Sequence, residues 1–230
     1  MFTRFTFTKN GAYYLVSEPT DCNFEDFMQQ NPTTPRPDLI KLSWLLAQFR
    51  GLANALQAIH TGIPGKSVAH RDIKPANILV FTDRNSSTGS KVLKITDWGS
   101  ATSEPHQPNT ALGSPRSCTN VDPPYYAPEC SDGGTSLRKH DIWSLGCVLL
   151  EALIWWNKGW GYLVDWREQR NEENEEGFWK YGKDELLDQV EDELEWLVKN
   201  GFGKMRRVIA GMLRFEEEKR LTAEEVARRV

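Results

Sequence analysis

The sequence predicts an α+β fold, a mostly helical body preceded by a β-hairpin, and three observations carry that expectation. Phe2 to Thr8 and Ala12 to Val16 read as strands and meet at Asn10-Gly11, a pair suited to the positive φ angles of a tight hairpin turn. Apolar residues at 42, 45, 46, 49, 52, 53, 56 and 59 recur with a helical period. His140 to Trp156 is strongly apolar, which marks a buried central helix.

The remaining elements follow in order. Two strands alone are marginally stable in water, so the hairpin is expected to lean on the helical body, on a further segment or on another molecule. For the helix over 42–59, Ser43 is placed to cap the start, and Gly62 with Pro64 stops it. Ile78 to Thr82 and Val92 to Thr96 read as short strands around the polar loop from Asp83 to Ser90. Residues 100–124, rich in Ser, Thr, Pro and Asn, lack periodicity and read as a loop. Glu168 to Glu176 reads as a solvated charged loop, while Arg206 to Phe215 and Thr222 to Val230 complete the helical end. There is no internal repeat.

Composition narrows the function. The chain has 230 residues, 39% of them hydrophobic and 26% charged, enough to bury a sizeable core in one domain. With 28 Lys and Arg against 32 Asp and Glu it offers no basic field for a polyphosphate backbone, so nucleic acid is not an expected partner. Cys22, Cys118, Cys130 and Cys147 lie far apart with no Cys-x-x-Cys pair, which argues against a zinc knuckle or a disulfide framework. Reduced thiols suit an intracellular compartment, cytoplasmic or nuclear. The start, Met1-Phe2-Thr3-Arg4, matches neither a signal peptide nor a membrane span of about 20 apolar residues, so no membrane association is expected.

The chemistry concentrates between His70 and Val80, where Asp72, Lys74 and Asn77 place a carboxylate, an ammonium and an amide around one turn. Such a trio can handle a hydroxyl, a phosphate and a metal ion. Asp97-Trp98-Gly99 follows the second mid-chain strand, so the catalytic segment and Asp97 flank one hairpin and their acidic groups are expected to meet. Ala127-Pro128-Glu129 and Asp141-Ile142-Trp143-Ser144-Leu145-Gly146 come next.

In residue type and order these segments resemble a eukaryotic protein kinase catalytic domain, and Lys74 in the catalytic loop resembles the serine/threonine type. The resemblance implies a protein kinase-like fold: residues 1–16 as a remnant hairpin of the small lobe, 17–20 as the hinge and 21–230 as the large lobe. The Gly-x-Gly-x-x-Gly run, the Val-Ala-x-Lys strand and the following helix of that family have no counterpart in the sequence, so the chain is expected to be an N-terminally truncated, divergent member.

The same resemblance assigns roles. Asp72 orients the acceptor hydroxyl and takes its proton, Lys74 contacts the transferring phosphate, and Asn77 and Asp97 hold Mg²⁺. ATP would lie with its base near the hinge residues Glu18 and Thr20 and over Leu79. Trp98 stands where the family has Phe. Val121-Asp122 stands where a Gly-Thr pair is common, and Asp122 is expected to pair with Lys74. Glu129 is expected to pair with Arg220, and Asp141 to accept hydrogen bonds from the catalytic-loop backbone. Thr102, Ser103, Thr110, Ser114, Ser117 and Thr119 are candidate phosphorylation sites.

Two functions stay open. One is transfer of the ATP γ-phosphate to a protein Ser/Thr hydroxyl. The other is a kinase-like binding or scaffold module with impaired catalysis, favoured by the missing glycines and Lys, by Trp98 and by Asp122. A small-molecule phosphotransferase shares the Asp, Asn and second Asp, but not the Ala127-Pro128-Glu129 and Asp141-to-Gly146 segments.

Overall fold

The computed structural model describes residues 3–32, 40–62, 64–83, 90–105, 123–130, 137–172 and 177–230. Strands β1 (Thr3–Lys9) and β2 (Ala12–Ser17) form an antiparallel hairpin. Asn10 at φ 51° and Gly11 at φ 76° make the turn, as the Asn-Gly pair predicts. A short strand β3 (Cys22–Asn23) leads directly into α1 (Phe24–Gln30), whose first turn is capped by the Asn23 side chain accepting from the Asp26 amide at 2.8 Å.

Helix α2 (Leu42–Thr61) has the expected apolar stripe, with Leu45, Phe49, Leu52, Ala53 and Leu56 buried. Its N-cap is Lys41 with no side-chain hydrogen bond, so Ser43 does not cap it. The reason is position: Leu42 already belongs to the helix, which puts Ser43 inside the first turn.

Strands β4 (Lys66–Ala69), β5 (Ile78–Thr82) and β6 (Lys91–Ile95) come next. β3, β5 and β6 form one antiparallel sheet, and Asn77 immediately precedes it. β4 pairs with β7 (Thr102–Pro105), from Lys66 opposite Pro105 to Ala69 opposite Thr102. The loop expected over 100–124 therefore holds a strand at its start. Residues 106–122 lie outside the described residues.

Helix α3 (Leu137–Glu172) is the spine of the body. Every residue from His140 to Trp155 is buried, as its apolar run predicts. Its Gly146 passes α5 (Gly203–Met212) so closely that a Cβ there would stand 2.9 Å from the Met212 Cβ. Gly159, at φ 91°, interrupts the helical backbone.

The helix then runs on to Glu172, so the charged loop expected from Glu168 is helical over its first half. Arg170 explains this, because its side chain turns inward and is only 2% exposed. Helices α4 (Asp188–Lys199) and α6 (Ala223–Arg229) complete the body. Thr222 and Glu225 form a capping box at the start of α6.

Tryptophans tie the layers together. Trp155 Nε1 donates to the Met28 and Asn31 carbonyls at 3.0 and 2.9 Å, and Trp44 Nε1 reaches the Lys91 carbonyl at 2.7 Å. Both are large apolar bodies with a satisfied polar edge, the form in which Trp is best buried.

Candidate active site

The candidate catalytic turn, His70 to Asn77, hangs from one buried carboxylate. Asp141, at the start of the buried run of α3, accepts hydrogen bonds from the backbone amides of His70 at 2.9 Å and Arg71 at 2.8 Å, and from His60 Nε2 at 2.8 Å. Arg71 is thereby held at φ 70°, a strained conformation for a residue other than glycine. Burial works to raise the Asp141 carboxyl, but His60, His140 and the Arg71 amide together outweigh it, and the group sits below its ordinary value.

His70 fixes the next residue. Its Nε2–H donates to the Thr96 carbonyl at 2.8 Å, which leaves Nδ1 to accept from the Asp72 amide at 3.3 Å. The Asp72 side chain is nearly buried and lies between Asn77 Nδ2, 2.7 Å from Oδ2, and Lys74 Nζ, 3.3 Å from Oδ1. Asn77 Nδ2 also donates to the Asp72 carbonyl at 2.9 Å. Both amide hydrogens of Asn77 are therefore spent on Asp72, and its carbonyl oxygen is directed to the other side of the amide.

Asp97 enters through the sheet. The backbone carbonyl of Asn77 accepts the Thr96 amide at 3.0 Å, so the end of β6 brings Asp97 beside this turn. Asp97 itself adopts φ 62° and caps the short helical turn Trp98–Ser100 by accepting from the Gly99 amide at 3.2 Å. A Cβ on Gly99 would lie 3.1 Å from Asp97 Oδ1, a tight approach that Asp97 would have to shift to accept. Trp98 packs edge-on against His70, with ring centroids 4.6 Å apart, and remains 44% exposed.

Among the described residues no three His, Cys, Asp or Glu side chains converge on a metal site. The Asn77 oxygen and the Asp97 carboxylate nonetheless suit Mg²⁺, a hard cation that typically takes one or two protein oxygens and completes its shell with water and phosphate. Asp122, expected near Lys74, lies outside the described residues, as do Thr110, Ser114, Ser117 and Thr119.

The face of β5 and β6 away from the core carries Leu79 directly opposite Lys94. Lys94 was not singled out by sequence. Its ammonium pairs with Glu18 at 2.9 Å and sits 4.3 Å from the centre of the Phe81 ring. Thr20 ties the segment after β2 to the same sheet, its hydroxyl lying 2.8 Å from the Val80 carbonyl. Glu18 and Leu79 are thus linked through Lys94, which lies between Glu18 and Phe81, while Thr20 is tied to the β5 backbone.

Two ion-pair clusters brace the floor. Arg220 makes a bidentate pair with Glu129 at 2.6 and 2.8 Å and lies over the Trp143 ring. Glu151, fully buried, receives Arg167, Arg170 and the Tyr125 hydroxyl. Burial and the Glu151 charge push the Tyr125 hydroxyl well above its usual range, so it stays a donor. The Glu151 cluster escaped the sequence reading because Arg167 and Arg170 sit in a stretch whose charge looks solvent-facing.

These elements, a helical body carrying an Asp–Lys–Asn turn and a second Asp across a two-strand ladder, define a protein kinase domain. The chain belongs to the protein kinase family, whose protein kinase domain model matches residues 3–230. It is 35% identical to serine/threonine-protein kinase chk-1 of Caenorhabditis briggsae over 147 residues, which cover 64% of this chain and 26% of that protein. It is 36% identical to Aurora kinase of Schizosaccharomyces pombe over 103 residues, 45% of this chain and 24% of the relative. Protein kinase MCK1 of Saccharomyces cerevisiae is 45% identical over 92 residues, 39% of this chain and 21% of that protein. The chain thus spans about a quarter of the length of the curated relatives it matches. Among the described residues no helix is long and apolar enough to cross a membrane.

Proposed function

We propose that this chain is a serine/threonine protein kinase domain that moves the γ-phosphate of ATP to a hydroxyl of a protein substrate. One observation carries the reading: the Asp72 carboxylate is held between Asn77 at 2.7 Å and Lys74 at 3.3 Å on a turn anchored from below by Asp141. In this reading Asp72 aligns the acceptor hydroxyl and takes its proton, while Lys74 moves from Asp72 to the transferring phosphate. Mg²⁺, held by Asn77 and Asp97, supplies charge neutralisation of the phosphate oxygens when bound. Residues 17–20 act as the hinge, with Glu18, Thr20 and Leu79 beside the base. The free thiols of Cys22 and Cys147 fit a reducing, intracellular compartment.

The test is radiolabelled phosphate transfer to a generic protein acceptor. Asp72→Asn should lower the rate by about 10²–10⁴, the range of a positioned general base. Asp97→Asn should abolish Mg²⁺-dependent transfer. Activity that persists in both variants would overturn the assignment.

A kinase-like binding module is the second reading, favoured by Lys94. This cation on the Leu79 face is engaged by Glu18 and Phe81 on the surface a nucleotide base would cover. Under that reading Mg-ATP leaves the melting temperature nearly unchanged, whereas a rise of several degrees would support the kinase reading.

A further inference from the structure

A cavity of about 240 Å³ opens beside the catalytic turn, where Lys74, Ala76, Tyr125, Arg167, Arg170 and Glu25 line it. It begins two residues from Asp72, so a polypeptide that offers a hydroxyl to Asp72 lays a neighbouring side chain into it. Its charges are unevenly distributed with depth. At the bottom, the buried Glu151 carboxylate is shared by two guanidinium groups, Arg167 at 3.0 and 2.6 Å and Arg170 at 3.3 Å, and by the Tyr125 hydroxyl at 2.9 Å.

One buried acid cannot neutralise both guanidinium groups, the buried Arg170 and the partly buried Arg167, and the balance comes from Glu25 at the rim. Its carboxylate holds Arg167 at 2.5 and 3.1 Å while its side chain stays 31% exposed. Arg170 has a second deficit. Although 2% exposed, it keeps its Nε–H without an acceptor among the described residues. A buried charged donor left unsatisfied is costly, and an anionic oxygen would relieve it. Ala76 contributes no competing acid.

We propose that this cavity is an anion-accepting subsite for the acceptor polypeptide, taking an acidic or phosphorylated side chain close to the phosphorylated residue. The incoming anion replaces Glu25 on Arg167, and Glu25 turns to solvent. The proposal rests on the kinase reading for the polypeptide's role, and adds the chemistry of its substrate.

The experiment uses the full chain with serine peptides carrying Ala, Asp or phosphoserine at each position from three before to three after the acceptor. Both binding, by fluorescence anisotropy, and phosphate transfer are measured. At one position the anionic peptides should bind about tenfold tighter than the Ala peptide, as expected for a charge-assisted hydrogen bond to a partly desolvated Arg. Phosphoserine outcompeting Asp would identify a phosphorylated substrate, and equal binding an acidic one.

Glu25→Gln should tighten the anionic peptides alone, and Arg167→Met should erase the preference. Should Arg167→Met fail to fold, Glu25→Gln decides by itself. Anion-dependent binding without transfer keeps the subsite and removes the kinase reading. Transfer or binding that is indifferent to the anion at every position, in wild type and in Glu25→Gln, overturns the subsite and leaves the kinase reading untouched.

Discussion

Beneath the candidate catalytic turn Asp141 is wholly buried and accepts three hydrogen bonds, whereas the β1–β2 hairpin presents Phe7, Tyr13 and Tyr14 to solvent. The first region is fixed by the same packing that folds the helical body. The second gains order from its Asn-Gly turn and from the Phe7 ring stacked on Tyr14, centroids 4.7 Å apart. The contrast teaches where precision is stored: the groups proposed to meet an acceptor hydroxyl are positioned by folding itself, and the sheet face proposed for the nucleotide is bordered by partly exposed residues. Catalytic geometry should therefore fail together with global stability when the floor is damaged, and survive damage to the hairpin.

The largest effect is expected at Arg220. Its guanidinium pairs with Glu129 and also donates to the Arg214 and Lys139 carbonyls at 2.8 and 2.9 Å. Arg220→Leu leaves Glu129 and two carbonyls without their partner and should cost about 3–5 kcal/mol, the usual penalty for breaking a buried pair from one side. Urea unfolding measures it. A loss below about 1 kcal/mol would mean that the floor is not the rigid half, and the comparison would break.

A smaller effect is expected in the hairpin. Phe7→Ala removes a stacked pair worth about 0.5–1.5 kcal/mol locally. Backbone amide exchange should accelerate in β1 and β2, with the protection of α3 unchanged. Equal loss of protection in both regions would show that the hairpin and the body unfold as one unit.

The difference in legibility between elements has the same physical root. The hairpin, α2 and the buried run of α3 were readable because an Asn-Gly turn, an apolar period and an unbroken apolar stretch are properties of local sequence. α4 was equally readable in principle: Val190, Leu194 and Leu197 stand on one face, and all three are buried. Its many acidic residues masked that stripe. β7 was not readable, since Thr102-Ser103-Glu104-Pro105 has no strand pattern and is extended because β4 pairs with it.

At the site, Asp72, Lys74 and Asn77 share one turn and their proximity follows from spacing. Asp141 and Glu129 were expected to reach the catalytic backbone and Arg220, contacts that span 70 and 91 positions, through the family resemblance alone. The Arg167, Arg170 and Glu151 cluster has no local signature. Only the return of α3 past α1 reveals that two surface-looking arginines turn inward, Arg170 buried and Arg167 partly buried.

The finest distinction between the two regions is electrostatic, and His140 reads it out. It is buried in the floor, and neither ring nitrogen has a hydrogen-bond partner among the described residues. Burial lowers its affinity for a proton; Asp141 and Glu129 oppose this, and Arg220 and Arg71 reinforce it. The folded value lies below the unfolded one of about 6.5, so the native state prefers the neutral ring.

That preference contributes fully above about pH 6.5 and is lost as pH falls through the folded value, because the unfolded chain takes up a proton that the native chain refuses. The slope from one such group cannot exceed about 1.4 kcal/mol per pH unit. Urea midpoints should fall between pH 7 and 5, and fall less in His140→Gln. An unchanged slope in that variant would assign the acid sensitivity to groups outside the buried floor.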